Sequence, residues 1–89
     1  MIFYVAILET IDAKKDSEIL DTHKAYLQKY IAEGKIFAKG PFTDHSGGLI
    51  IYKTESFEEA REIAENDPVI LHKSRNLTLK EWKSNLDNI

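Results

Sequence analysis

The stretch Gly40-Pro41-Phe42-Thr43-Asp44-His45-Ser46-Gly47-Gly48-Leu49-Ile50-Ile51-Tyr52 decides the fold. It reads as the end of one strand, a tight connection and the start of another. Gly and Pro mark a bend or a close backbone approach, and Ser46-Gly47-Gly48 supplies residues for the positive-φ positions of a hairpin turn. Pro41 has no N–H to give to a ladder, so that end of the strand lies at an edge, at a bulge or where pairing stops. A strand and a helix precede the hairpin, and a helix and a strand follow it.

Upstream, Ile2 to Leu8 is a continuous apolar run rich in aromatic and β-branched residues, read as a strand. Its apolarity does not alternate, which predicts cover on both faces. Thr10 to Lys15 is a polar connection. A helix is predicted from a cap at Asp16 or Ser17 to about Glu33, with Gly34 just past its end. Its apolar stripe is Ile19, Leu20, Tyr26, Leu27, Tyr30 and Ile31, and His23 falls in the middle of it, facing inward. Lys35 to Phe42 and Leu49 to Tyr52 are the two hairpin strands.

Downstream, Ser56-Phe57-Glu58-Glu59 is a capping box that starts a second helix, running to about Asn66 with Phe57, Ala60, Ile63 and Ala64 inward. Asp67-Pro68 ends it, because Pro disfavours helix at the residue before it. Val69 to Arg75 is irregular or a short helical turn. Leu77 and Leu79 alternate with polar residues in a last strand extended to Trp82, and Lys83–Ile89 is a polar, loose tail. The order strand, helix, strand, strand, helix, strand is the α+β, ferredoxin-like βαββαβ arrangement with a four-stranded antiparallel sheet. Two helices cover one sheet face only, yet the first and third strands are apolar on both. Sheet-to-sheet packing in a homodimer, a dimeric α/β barrel, is the predicted remedy.

The 89 residues are expected to form a single domain, residues 1–89, and their net charge of −3 comes from mixed acids and bases. No basic stripe with interleaved aromatics is present, so a nucleic-acid partner is not expected. No apolar run approaches the roughly 20 residues that span a bilayer, and the first residues lack the basic and small-residue flanks of a signal peptide. With no cysteine, disulfides and thiolate metal sites are excluded, which fits a cytoplasmic protein.

His23 admits two readings: a core histidine hydrogen-bonded for structure, or a general base or acid, since imidazole exchanges protons near neutral pH. Asp67 also admits two: a helix terminator, or a carboxylate that continues the inward row of the second helix and meets His23 to fix its tautomer. His45 and His72 stand in loop settings without ligand spacing, so no metal is predicted. Asp44-His45-Ser46 has the residue types of a hydrolase triad but no nucleophile elbow, and Gly47-Gly48 leads into a strand, unlike a phosphate loop.

The chain resembles the YciI-like (YCII-related) family over nearly its whole length. The resemblance is carried by Met1-Ile2-Phe3-Tyr4-Val5-Ala6, His23 with Leu27, Gly34-Lys35-Ile36, Gly40-Pro41-Phe42 before Gly47-Gly48-Leu49, and the Ser56/Glu59/Ala60 helix that ends in Asp67-Pro68. It implies a dimeric α/β barrel with a His–Asp active-site pair, here His23 and Asp67, and a pocket wall at Gly40 and Pro41. Some family members act as dehydrochlorinases on chlorinated hydroxyhydroquinones. Members often carry Arg three residues before the His; here Leu20 stands there, and Lys39, Lys73 or Arg75 are the basic residues available to compensate.

The expectation is therefore a cofactor-free acid–base enzyme acting by isomerisation or elimination on a small organic, cyclic or aromatic substrate. Its pocket would be lined by Tyr4, Gly40, Pro41 and Phe42. The alternative is a non-catalytic small-molecule-binding or regulatory dimer.

Overall fold

The first strand is longer than its apolar run. β1 spans Ile2–Thr10, because Glu9 and Thr10 still find ladder partners in Asn76 and Arg75. It is followed by helix α1 (Ala13–Ala32), strands β2 (Ile36–Pro41) and β3 (Gly47–Tyr52), helix α2 (Phe57–Glu65), one-turn helix α3 (Pro68–Leu71) and strand β4 (Arg75–Lys83). The computed structural model describes residues 1–86. The antiparallel sheet runs in the order β2-β3-β1-β4, which is the ferredoxin-like α+β fold. Among the described residues, no helix is long and apolar enough to cross a membrane.

Besides β1, other boundaries differ from the sequence reading: β3 starts at Gly47, ahead of Leu49, and β4 takes in Arg75, expected in an irregular segment. α1 begins at Ala13, with Asp12 as its cap: the Asp12 carboxylate accepts from the Lys15 N–H at 3.0 Å, and the Asp12 N–H is tied to the Ser74 carbonyl. Asp16 is then free to reach β4. The tail from Lys83 is held at its start. β4 includes Lys83, the Ser84 N–H donates to the Met1 carbonyl at 2.9 Å, and the Ser84 hydroxyl accepts from the Leu86 N–H. The rest of that expected loose tail, residues 87–89, lies outside the described residues.

The core lies between the sheet and the helices. Tyr4, Ala6 and Leu8 of β1, Ile50 and Tyr52 of β3, Leu27 of α1, Ala60, Ile63 and Ala64 of α2 and Val69 of α3 are all buried. The Tyr26 hydroxyl donates to the Ile63 carbonyl at 2.7 Å, linking α1 to α2. The other face of the sheet carries Phe3, Val5, Ile7, Leu49 and Ile51 without helical cover. Phe3 is nonetheless only 1% exposed, because Phe37 (ring centroids 4.9 Å apart) and Trp82 (6.0 Å) close over it. Ile7, Phe37 and Trp82 remain exposed.

The hairpin closes through Phe42 N–H to Gly47 C=O at 2.8 Å and His45 N–H to Phe42 C=O at 3.0 Å. Positive φ falls on His45 (65°) and Gly47 (148°), so one of the two glycines is used in that way. Gly47 has a second reason to lack a side chain: a Cβ there would lie 1.8 Å from the Leu8 carbonyl oxygen.

Candidate active site

α1 presents His23 and Leu27 as its buried residues because they continue the i, i+4 row of Ile19. Asp67 arrives by another route. α2 stops at Glu65, Pro68 starts α3, and Asp67 caps it, with Oδ1 accepting from the Val69 N–H at 3.1 Å. α1 packs against α3, so the carboxylate that caps one helix meets the imidazole of the other. His23 Nδ1 lies 2.7 Å from Asp67 Oδ1, with His23 6% and Asp67 0% exposed. Asp67 is thus inward as the cap of a new helix, and not as a continuation of the α2 stripe.

A carboxylate at Nδ1 is an acceptor, so Nδ1 carries the proton and donates to Oδ1. Nε2 is left without a hydrogen-bond partner among the described residues, in a side chain that borders a cleft of about 190 Å³. Asp67 Oδ2 and the Tyr52 hydroxyl are both buried and unpartnered among the described residues. Burial, reinforced by the Asp67 charge, drives the Tyr52 phenol well above its usual range.

Leu20, His23, Lys24 and Leu27 of α1 form one wall of the cleft. Lys39, Gly40 and Pro41 of β2 form the opposite wall, and Gly48 and Ile50 lie between them. Leu20, in the position where the resemblance leads one to look for Arg, adds apolar surface. Arg75 also borders the cleft, but its guanidinium is held by Asp16, Nε to Oδ1 at 2.7 Å and a second N–H to Oδ2 at 2.9 Å. Burial would raise Asp16, but hydrogen bonds from Arg75 and Ser74 outweigh it and hold the carboxyl below its usual range.

The structure thus brings together His23, Asp67, Gly40 and Pro41. Tyr4 does not reach this cleft: it is buried on the helix side of the sheet, edge-on to Phe57 at 5.9 Å. Phe42 lies in an adjoining depression with Ala38 and Ile51, which shares Lys39, Gly40, Pro41 and Leu49 with the cleft. Lys73, at the turn before β4, does not line the cleft, and His45 and His72 also lie outside it. Lys24 was absent from the sequence reading. Its signal was available, since it directly follows an inward His at the margin of the apolar stripe.

A family model described as the YCII-related domain matches residues 2–83. The uncharacterized protein YjpA of Bacillus subtilis (strain 168) is 36% identical over 81 residues, which cover 90% of this chain and 95% of that protein. Among solved structures, the chain is similar to 5-chloro-2-hydroxyhydroquinone dehydrochlorinase (TftG) from Burkholderia phenoliruptrix AC1100, in complex with 2,5-dihydroxybenzoquinone. The TM-score is 0.78 with 23% identity and 100% of both chains covered, a likeness of fold.

Proposed function

The chain belongs to the YCII-related family, and on that footing we propose that it is a small cytoplasmic enzyme in which His23 and Asp67 move a proton on a ring-containing organic substrate. A single contact carries this reading: the buried 2.7 Å His23–Asp67 pair behind an otherwise mainly apolar cleft. Nε2 takes a proton from a substrate carbon or hydroxyl, and Asp67 stabilises the imidazolium that forms. The electron pair left behind becomes a new double bond. In an elimination it expels an anion such as chloride; in an isomerisation the proton returns at another carbon. The proton enters and leaves through the imidazole, so this chemistry calls for no cofactor. Gly40 and Pro41 serve as the opposite wall, where the absence of long side chains leaves room for a ring.

The fold neighbour is by name a dehydrochlorinase, so chloride release from 5-chloro-2-hydroxyhydroquinone is the first reaction to test. Wild type is expected to release chloride, and His23→Asn to do so slower by at least about 10²-fold. Equal rates overturn the role of His23. Binding of ring compounds without any turnover favours the second reading, a non-catalytic small-molecule-binding module.

We also propose a homodimer formed through the open face of the sheet. Ile7, Phe37 and Trp82 are exposed there, beside half-buried Val5, Leu49 and Ile51. An apolar face of this kind is costly in water and is relieved by a second copy. Sedimentation is expected to give twice the 10.2 kDa chain mass, and Ile51→Lys to give the monomer. A wild-type monomer at micromolar concentration overturns the dimer.

A further inference from the structure

We infer that the cleft selects a small organic anion, whose charge sits on an enolate, phenolate or carboxylate oxygen and is gripped between Lys24 and Lys39. This rests on reading the cleft as the substrate site, though not on the proton transfer itself.

The first observation is a break in the β2 ladder. Ile36 pairs with Tyr52, and Ala38 pairs with Ile51, so two steps on β2 answer one on β3. Such a bulge re-aims the side chains that follow it. Ile36 faces the core, and strict alternation would send Ala38 to the core side and Lys39 to the open face. Instead Phe37 packs on Phe3 of the open face, Ala38 falls opposite Ile51, and Lys39 falls opposite buried Ile50. The bulge thus places exposed Lys39 in the wall of the His23 cleft, at the rim shared with the depression beside Phe42.

The second observation is charge. Among the described residues, no Asp or Glu lines the cleft. Arg75 is neutralised by Asp16, while Lys24 and Lys39 make no ion pair among the described residues. Two unpaired lysines, one on the α1 wall and one on the β2 wall, beside apolar Leu8, Leu27 and Ile50, match an apolar body with an anionic edge. Size agrees: a cavity of about 150 Å³ holds benzene, and this cleft measures about 190 Å³. An anion on a carbon acid's conjugated oxygen would also hold the acidic C–H or O–H beside His23.

Equilibrium titration of the full chain tests this. The probe is 2,5-dihydroxybenzoquinone, a vinylogous acid that is anionic at neutral pH; its neutral dimethyl ether is the control. Wild type is expected to bind the anion at least about tenfold tighter than the ether, with affinity falling as salt rises. Lys39→Met and Lys24→Met should each weaken anion binding by about five- to tenfold and leave ether binding unchanged. Lys73→Met, a charge change outside the cleft, should leave both unchanged. Anion binding that is salt-insensitive, no tighter than ether binding, unaltered in Lys39→Met or absent in wild type overturns the proposal. Because binding is read without turnover, an inactive protein that still passes this test refutes the enzymatic reading alone.

Discussion

His23 Nδ1 and Asp67 Oδ1 stand 2.7 Å apart although 44 positions separate the two residues. The same carboxylate oxygen caps α3 through the Val69 N–H, so one atom joins a helix start to a candidate acid–base residue.

Asp67→Asn and Asp67→Ala should therefore separate chemistry from stability. Asn keeps an acceptor for Val69 but removes the negative charge, so turnover should fall by about 10²-fold or more with little change in fold. Ala leaves both His23 Nδ1 and the Val69 N–H without their partner inside the protein, at a cost of about 2–3 kcal/mol. Urea unfolding alongside the activity assay measures both; Asn matching wild type in turnover would count against the pair.

Asp16 should make folding stability depend on acid. Its carboxyl is held below the usual range by Arg75 and Ser74 despite burial. A group with a depressed folded pKa stabilises fully above its unfolded value, near 4, and that contribution disappears as pH falls through the folded value. Asp16→Asn should cost about 2 kcal/mol at pH 7, and the gap to wild type should close as pH drops below about 4. Unfolding curves at several pH values check it; a gap that stays constant would contradict it.

Gly47 and Gly40 should respond oppositely to alanine. At Gly47 the new Cβ meets the Leu8 oxygen at 1.8 Å with φ at 148°, whereas at Gly40 nothing lies within 4 Å. Gly47→Ala is expected to lose about 3 kcal/mol or more, and Gly40→Ala to stay within about 0.5 kcal/mol of wild type. Thermal unfolding of the two variants compares them directly.

Tyr52 should keep its phenol proton until the protein unfolds, since burial and the Asp67 charge push it far up. A group with a raised folded pKa stabilises below its unfolded value, about 10 for Tyr, and loses that contribution as pH rises beyond it. Tyr52→Phe should leave the phenolate absorbance step of the folded protein unchanged and shrink the step at alkaline unfolding. Its stability at neutral pH should match or exceed wild type by up to about 1 kcal/mol, because the buried hydroxyl has no partner among the described residues.

The element order, the capping Ser56 and the inward His23 were all legible in local patterns. Ser56 Oγ accepts from the Glu59 N–H at 3.1 Å as read, although the Glu59 carboxylate reaches back to the Glu55 N–H and not to Ser56. The start of α1 was misread because Asp12, Asp16 and Ser17 are all competent caps. The choice fell to Asp12 through backbone bonds with Ser74, a residue 62 positions on. Tyr4 and Phe42 were sensible pocket candidates by residue type, but Tyr4 lies further along β1 than cleft-lining Leu8, against Phe57, and the turn carries Phe42 past Pro41.

What this chain's sequence determined alone was periodicity: which residues alternate, which recur each helical turn, and hence the βαββαβ order with one uncovered sheet face. Tertiary structure alone decided the face on which Lys39 falls and the partner of Arg75, and it chose between the two readings of Asp67 by seating its carboxylate against His23. A bulge adds one residue to a strand without changing its composition, and a cap's second hydrogen bond goes to whatever helix packing brings near. Both are set by non-local contacts, which local patterns do not encode.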